Sequence, residues 1–141
     1  MATNTKEITG VLDKLHSANK LVSLLDQLHE HGGIYAQAAK ALKLCAAKTQ
    51  DYHAGAKASD ENADKMRDVY FPFGQLSYAQ MLHVKVQRVI SLVKKQSAGL
   101  SVLHESLADT YLDLVNYALF AAERAERDAR NAADQKPKEN K

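Results

Sequence analysis

The sequence predicts an all-α chain: a compact bundle of four to five helices with a long loop between helices two and three and an extended C-terminal helix. Three observations carry that prediction. Apolar residues recur three and four positions apart, and no segment alternates as a strand would. Breaks are confined to Gly32-Gly33, the stretch from His53 to Gly74, and Ser97-Ala98-Gly99. Ala supplies much of the 45% hydrophobic fraction and Trp is absent, so the side chains suit closely packed helices. The 141 residues fit one domain over residues 1–134, with a disordered tail over 135–141 that contains Pro137. So small an apolar complement also fits a homo-oligomer, in which further helix faces are buried.

The first helical segment starts with a capping-box-like Asn4 and Glu7 and places Ile8, Val11, Leu12 and Leu15 on one face. The stripe changes phase near Ser17-Ala18-Asn19 and continues as Leu21, Leu24, Leu25 and Leu28 to the stop at Gly32-Gly33. That pattern fits one bent helix or two. Ile34, Ala38, Ala41, Leu42, Cys45 and Tyr52 form the narrow stripe of the next helix. Residues 53–74 show little periodicity and read as a functional or mobile loop. Its Tyr70-Phe71-Pro72-Phe73 cluster is too apolar to remain in water and should dock on the body.

Ser77 with Gln80 marks the start of the next helix, with Tyr78, Met81, Leu82, Val86, Val89, Ile90, Leu92 and Val93 on one half. Lys85 falls inside that apolar half and Arg88 on its rim. A lysine on a buried face is costly unless paired. The turn at Ser97-Ala98-Gly99 folds the last helix back antiparallel, which offers the partner. There Glu105, Asp109 and Asp113 follow at i, i+4 and i+8 and, with Asn116, fall within roughly 80° of arc. Leu107, Tyr111, Leu112, Leu114, Val115, Ala118 and Leu119 fill the opposite side. Like charges in one stripe repel unless cations, a metal or solvent offset them. Beyond Phe120 the helix becomes rich in Ala and mixed charges, as a solvated extension or an oligomer contact would.

Several classes are disfavoured. A net charge of +2 and a pI near 8.6 give no electrostatic footprint for direct nucleic-acid binding. The single Cys45 excludes an intrachain disulfide and a thiolate cluster, and between Leu44 and Ala46 it reads as a structural thiol. No apolar h-region follows the polar Met1–Thr5 and no apolar run approaches a membrane span, so the expectation is a soluble cytoplasmic protein.

With Lys48-Thr49-Gln50-Asp51-Tyr52, Lys85 with Arg88, and Glu105-x-x-x-Asp109-x-x-x-Asp113-x-x-Asn116-Tyr117 in view, residues 40–122 resemble the nucleotide modification associated domain 1 family of phages and prophages. Thr49 and His53 depart from the Asn and Gly of that family's first element. The resemblance implies a phage protein of nucleotide metabolism, working in the host cytoplasm near the making of modified bases. Residue chemistry fits: Glu105, Asp109 and Asp113 as Mg²⁺ ligands, and Lys48, Lys85 and Arg88 on phosphate. Asp51 or Asn116 would read a base or sugar edge, with Tyr52 or Tyr117 stacking. There is partial likeness to the MazG-like all-α nucleoside triphosphate pyrophosphohydrolases, but His83 and Gln87 stand where those enzymes carry a Glu-x-x-Glu pair. Three functions follow as expectations. One is a nucleotide-binding Mg²⁺-dependent phosphohydrolase or an accessory to base modification, another a non-catalytic nucleotide-sequestering protein, and the third a helical interaction module.

Overall fold

The computed structural model describes residues 3–52, 63–101 and 106–135, with side chains from His16 to Thr49, from Met66 to Ser101 and from Ser106 onward. Five helices follow in order: α1 (Thr3–His31), α2 (Gly33–Tyr52), α3 (Ala63–Tyr70), α4 (Gln75–Ser97) and α5 (Leu107–Asp134). The described residues contain no strand, so the fold is all-α.

The chain forms two compact units, Met1–Lys40 and Ala41–Lys141, with the boundary inside α2. In the first, the phase change near Ser17 does not break the helix: α1 is continuous to His31. It ends where the two glycines predicted, at Gly32 (φ 80°) and Gly33 (φ 56°). Left-handed backbone strains any residue with a Cβ, which is why glycine stands there. The Gly32 carbonyl then accepts from Ala36 N–H as α2 begins.

The second unit carries the chemistry. α4 packs on α5, and two side-chain contacts fix the direction: Gln75 reaches the Ala121 carbonyl while Lys85 reaches Asp113. The helices are therefore antiparallel, as the turn predicted. That turn is a Schellman ending, with Leu100 N–H donating to the Lys95 carbonyl, Gly99 N–H to that of Gln96, and Gly99 at φ 71°. The start of α4 differs from expectation. Its N-cap is Gly74 without a side-chain cap; Ser77 lies inside the first turn, where its hydroxyl accepts from Phe73 N–H at 3.0 Å.

The segment 53–74 is not wholly a loop. Residues 53–62 lie outside the described residues, but Ala63–Tyr70 is helical. Eight residues give too few turns for the periodicity to stand out in the sequence. Of the aromatic cluster that follows, Phe71 docks in the core, stacked on Tyr78 at 4.3 Å, and Tyr117 and Phe120 complete the cluster. Tyr70 and Phe73 remain exposed.

The Ala-rich half of α5 holds α3 in place. Arg127 makes a two-pronged bond to Asp68 at 2.7 and 2.9 Å and also meets Glu123 at 2.9 Å. Arg124 bridges Asp68 and Asp128 at 2.8 Å each. Arg67, 6% exposed, lies over the Phe120 ring at 4.3 Å and reaches Glu123. In this stretch, expected as a solvated extension or an oligomer contact, Glu123, Arg124 and Arg127 form a partly buried ionic latch, while residues 128–135 are exposed. The residues expected in the tail from 136 onward lie outside the described residues.

Candidate functional site

The buried face of α5 is the side the sequence marked as polar. Thr110, Asn116, Tyr117 and Phe120 are buried, whereas Tyr111, Val115 and Leu119 of the apolar side are 41% to 49% exposed. Asp113 is carried inward with the first group. Because α4 runs antiparallel beside it, Lys85 from the apolar half of α4 meets Asp113, and Lys48 arrives from α2.

The two ammonium groups grip one carboxylate. Lys48 Nζ donates to Asp113 Oδ1 and Lys85 Nζ to Oδ2, both at 2.5 Å. All three side chains are between 17% and 20% exposed, so solvent screens them only in part. Lys48 Nζ also lies 4.8 Å from the centroid of the Tyr117 ring, within cation–π range. Burial by itself pushes the Asp113 carboxyl upward, but the hydrogen bonds and charges of Lys48 and Lys85 together outweigh it and hold the group below the ordinary carboxylate range. Among the described residues, two cations thus converge on this one carboxylate.

Asn116, one turn along α5, is fully buried, and neither Oδ1 nor Nδ2 of its amide has a hydrogen-bond partner. The Tyr78 hydroxyl on α4, equally buried, is in the same position. Buried polar atoms are almost always paired, so an amide orphaned at both ends is a chemical signal.

The remaining expected residues are dispersed. Asp109 does not join Asp113: it closes a capping box, its carboxylate accepting from Ser106 N–H at 3.3 Å and from the Ser106 hydroxyl at 2.7 Å. Ser106 Oγ accepts from Asp109 N–H in return. α5 begins at Leu107, so the acidic row on the helix consists of Asp109 and Asp113; Glu105 lies outside the described residues. So do the side chains of Asp51 and Tyr52. Arg88 is half-buried one turn beyond Lys85 on α4 and is not among the partners of Asp113.

Of the expected Mg²⁺ ligands that are described, Asp109 and Asp113 do not converge. Both Asp113 oxygens are engaged by ammonium groups and the Asp109 carboxylate is turned to its own helix start. No three His, Cys, Asp or Glu side chains converge among the described residues.

Two participants escaped the sequence reading. Arg67 was hidden in a stretch without evident period, yet it is part of the electrostatic surroundings of Cys45 along with Lys48. Burial raises the Cys45 thiol despite both cations, in keeping with a structural thiol packed against the aromatic core. The Tyr78 hydroxyl could have been flagged only by knowing what it fails to meet.

Residues 65–122 match the family model described as Nucleotide modification associated domain 1, which establishes the family resemblance for that segment. It covers most of α3, all of α4 and the first half of α5; the Lys48–Tyr52 element precedes it. No curated protein and no solved structure matches the chain, and the MazG-like likeness draws no support from these comparisons. The match is consistent with a role connected to nucleotides. No described helix is long and apolar enough to cross a membrane.

Proposed function

We propose that the second unit binds a phosphorylated nucleoside, with its phosphate on Lys48 and Lys85. The observation that carries this reading is the convergence of two lysines, from helices far apart in sequence, on a single partly buried carboxylate. Asp113 is then the internal counter-ion whose place the phosphate takes. A phosphate offers more acceptor oxygens than a carboxylate and up to two charges, so the exchange satisfies both ammonium groups. Tyr117 holds Lys48 in register, and Arg88, one turn beyond Lys85, is the next cation along α4 for a longer phosphate chain. The family match at residues 65–122 supports the nucleotide as the carrier of that phosphate.

A binding protein that sequesters a nucleotide is the form this geometry favours, since both Asp113 oxygens are held by ammonium groups that a phosphate can take over. A Mg²⁺-dependent phosphohydrolase would instead need Asp113 as a ligand. Asp113→Asn separates the two in a thermal-shift panel of nucleoside mono-, di- and triphosphates with and without Mg²⁺. The expected result is a metal-independent shift that grows in Asp113→Asn, because the competing anion is gone. A shift that requires Mg²⁺ and vanishes in the variant would overturn this reading in favour of the hydrolase. No shift with any nucleotide would leave the lysine–aspartate group as a structural network.

A further inference from the structure

We propose that Asn116 reads the hydrogen-bonding edge of the ligand's nucleobase, so that the site distinguishes a nucleoside phosphate from a sugar phosphate. This rests on the phosphate assignment to Lys48 and Lys85 and adds the recognition of the base. Asn116 has no exposed surface, and both ends of its amide lack a partner. It lies one helical turn from Asp113, whose carboxylate marks the phosphate position, and directly before Tyr117, whose ring carries Lys48.

A helix-interior asparagine buried with nothing to bond is an expensive residue: each unmet polar group costs about 1–3 kcal/mol. Leucine would fill the same space without that cost. The amide presents one acceptor and one donor side by side. The complementary feature is an adjacent donor and acceptor on a planar ring, the edge that every nucleobase carries and that a sugar phosphate lacks. Sites built to hydrogen-bond a ligand reject analogues without the matching groups by large factors, because the buried partners are then left unmet.

The helix register supports the placement. The Gln75–Ala121 and Lys85–Asp113 contacts set the register of the antiparallel pair. In that register Asn116 falls between the levels of Tyr78 and Lys85. The Asn116 amide and the lysine pair therefore follow one another along the α4–α5 interface, a neutral polar group and then two cations, while the Tyr78 hydroxyl lies among the charges of Arg67, Asp68, Glu123 and Arg124. A molecule with an uncharged polar ring at one end and phosphate at the other has this order of chemistry.

The test uses the full chain and isothermal titration with deoxyribose 5-phosphate and the four deoxynucleoside 5′-monophosphates. Wild type is expected to bind at least one nucleotide ten-fold or more tighter than deoxyribose 5-phosphate. Asn116→Leu should bring that nucleotide down to the level of the sugar phosphate without changing sugar phosphate binding. Asn116→Asp, which offers acceptors only, should shift the order among bases toward guanine, whose N1–H and exocyclic amino group are two adjacent donors. If Asn116→Leu keeps the wild-type nucleotide affinities and melts higher, the amide is structural and the assignment to Asn116 falls while the phosphate site stands. If wild type prefers no nucleotide over deoxyribose 5-phosphate, the assignment likewise falls alone. If neither compound binds, the phosphate site falls with it. Circular dichroism of both variants confirms that the helices are intact, and an unfolded Asn116→Leu leaves the base-order shift in Asn116→Asp to decide.

Discussion

Asp113 answers to two lysines, and its behaviour in acid follows. Its folded carboxyl lies below the ordinary range, as does that of Asp68, which is held down chiefly by its hydrogen bond from Arg127. A lowered folded value means that the stabilisation is complete above the unfolded value of about 4 and is lost as pH falls through the folded value beneath it. Melting temperature measured from pH 6 to pH 2 should therefore hold steady down to about pH 4 and then drop. Asp68→Asn should flatten that drop, because its contribution is removed at every pH. Lys85→Met should cost only about 1–2 kcal/mol in denaturant unfolding, since Lys48 still serves the carboxylate, and should weaken phosphate binding. The pairing of Lys85 was legible from its place inside an apolar stripe facing a helix of carboxylates. That Asp113 rather than Asp109 would receive it was not, because the choice turns on where the last helix begins, and Ser106 draws Asp109 away to cap it.

At the scale of elements, α3 is a short helix held by charges. Arg127 grips Asp68 with two parallel bonds and Glu123 with another, all partly buried. Arg127→Ala should lower stability by about 1–3 kcal/mol, read from the denaturant midpoint, and Arg127→Lys should recover only part, since an ammonium cannot make the forked contact. Phe71→Ala, which empties the ring stacked on Tyr78, should cost about 3–5 kcal/mol by the same measurement. Neither dependence was visible in the sequence. An eight-residue helix shows barely two turns of pattern, and a run of Glu, Arg and Asp on α5 reads equally as solvent or as a latch until its partner is known. The glycine-marked ends were legible because backbone geometry alone dictates them.

Across the whole molecule, the all-α class and the antiparallel α4–α5 pair followed from periodicity and one turn, but the facing of α5 did not. Asp113 and Asn116 of its polar stripe point inward, Asp109 stays exposed at the helix start, and Tyr111, Val115 and Leu119 point outward, at 41% to 49% exposure. Hydropathy counts apolar carbon and is blind to the ion pair and orphaned amide that bring the other face inside. The same distribution arranges the chromophores usefully. The protein has six tyrosines and no tryptophan. Tyr35, Tyr70 and Tyr111 are half in solvent, while Tyr78 and Tyr117 are fixed in the core. Near-ultraviolet dichroism, which responds to rings held in one asymmetric setting, will therefore draw strongly on these two residues, and Tyr117, next to Asn116 and against Lys48, gives the protein its own optical probe of whatever enters there.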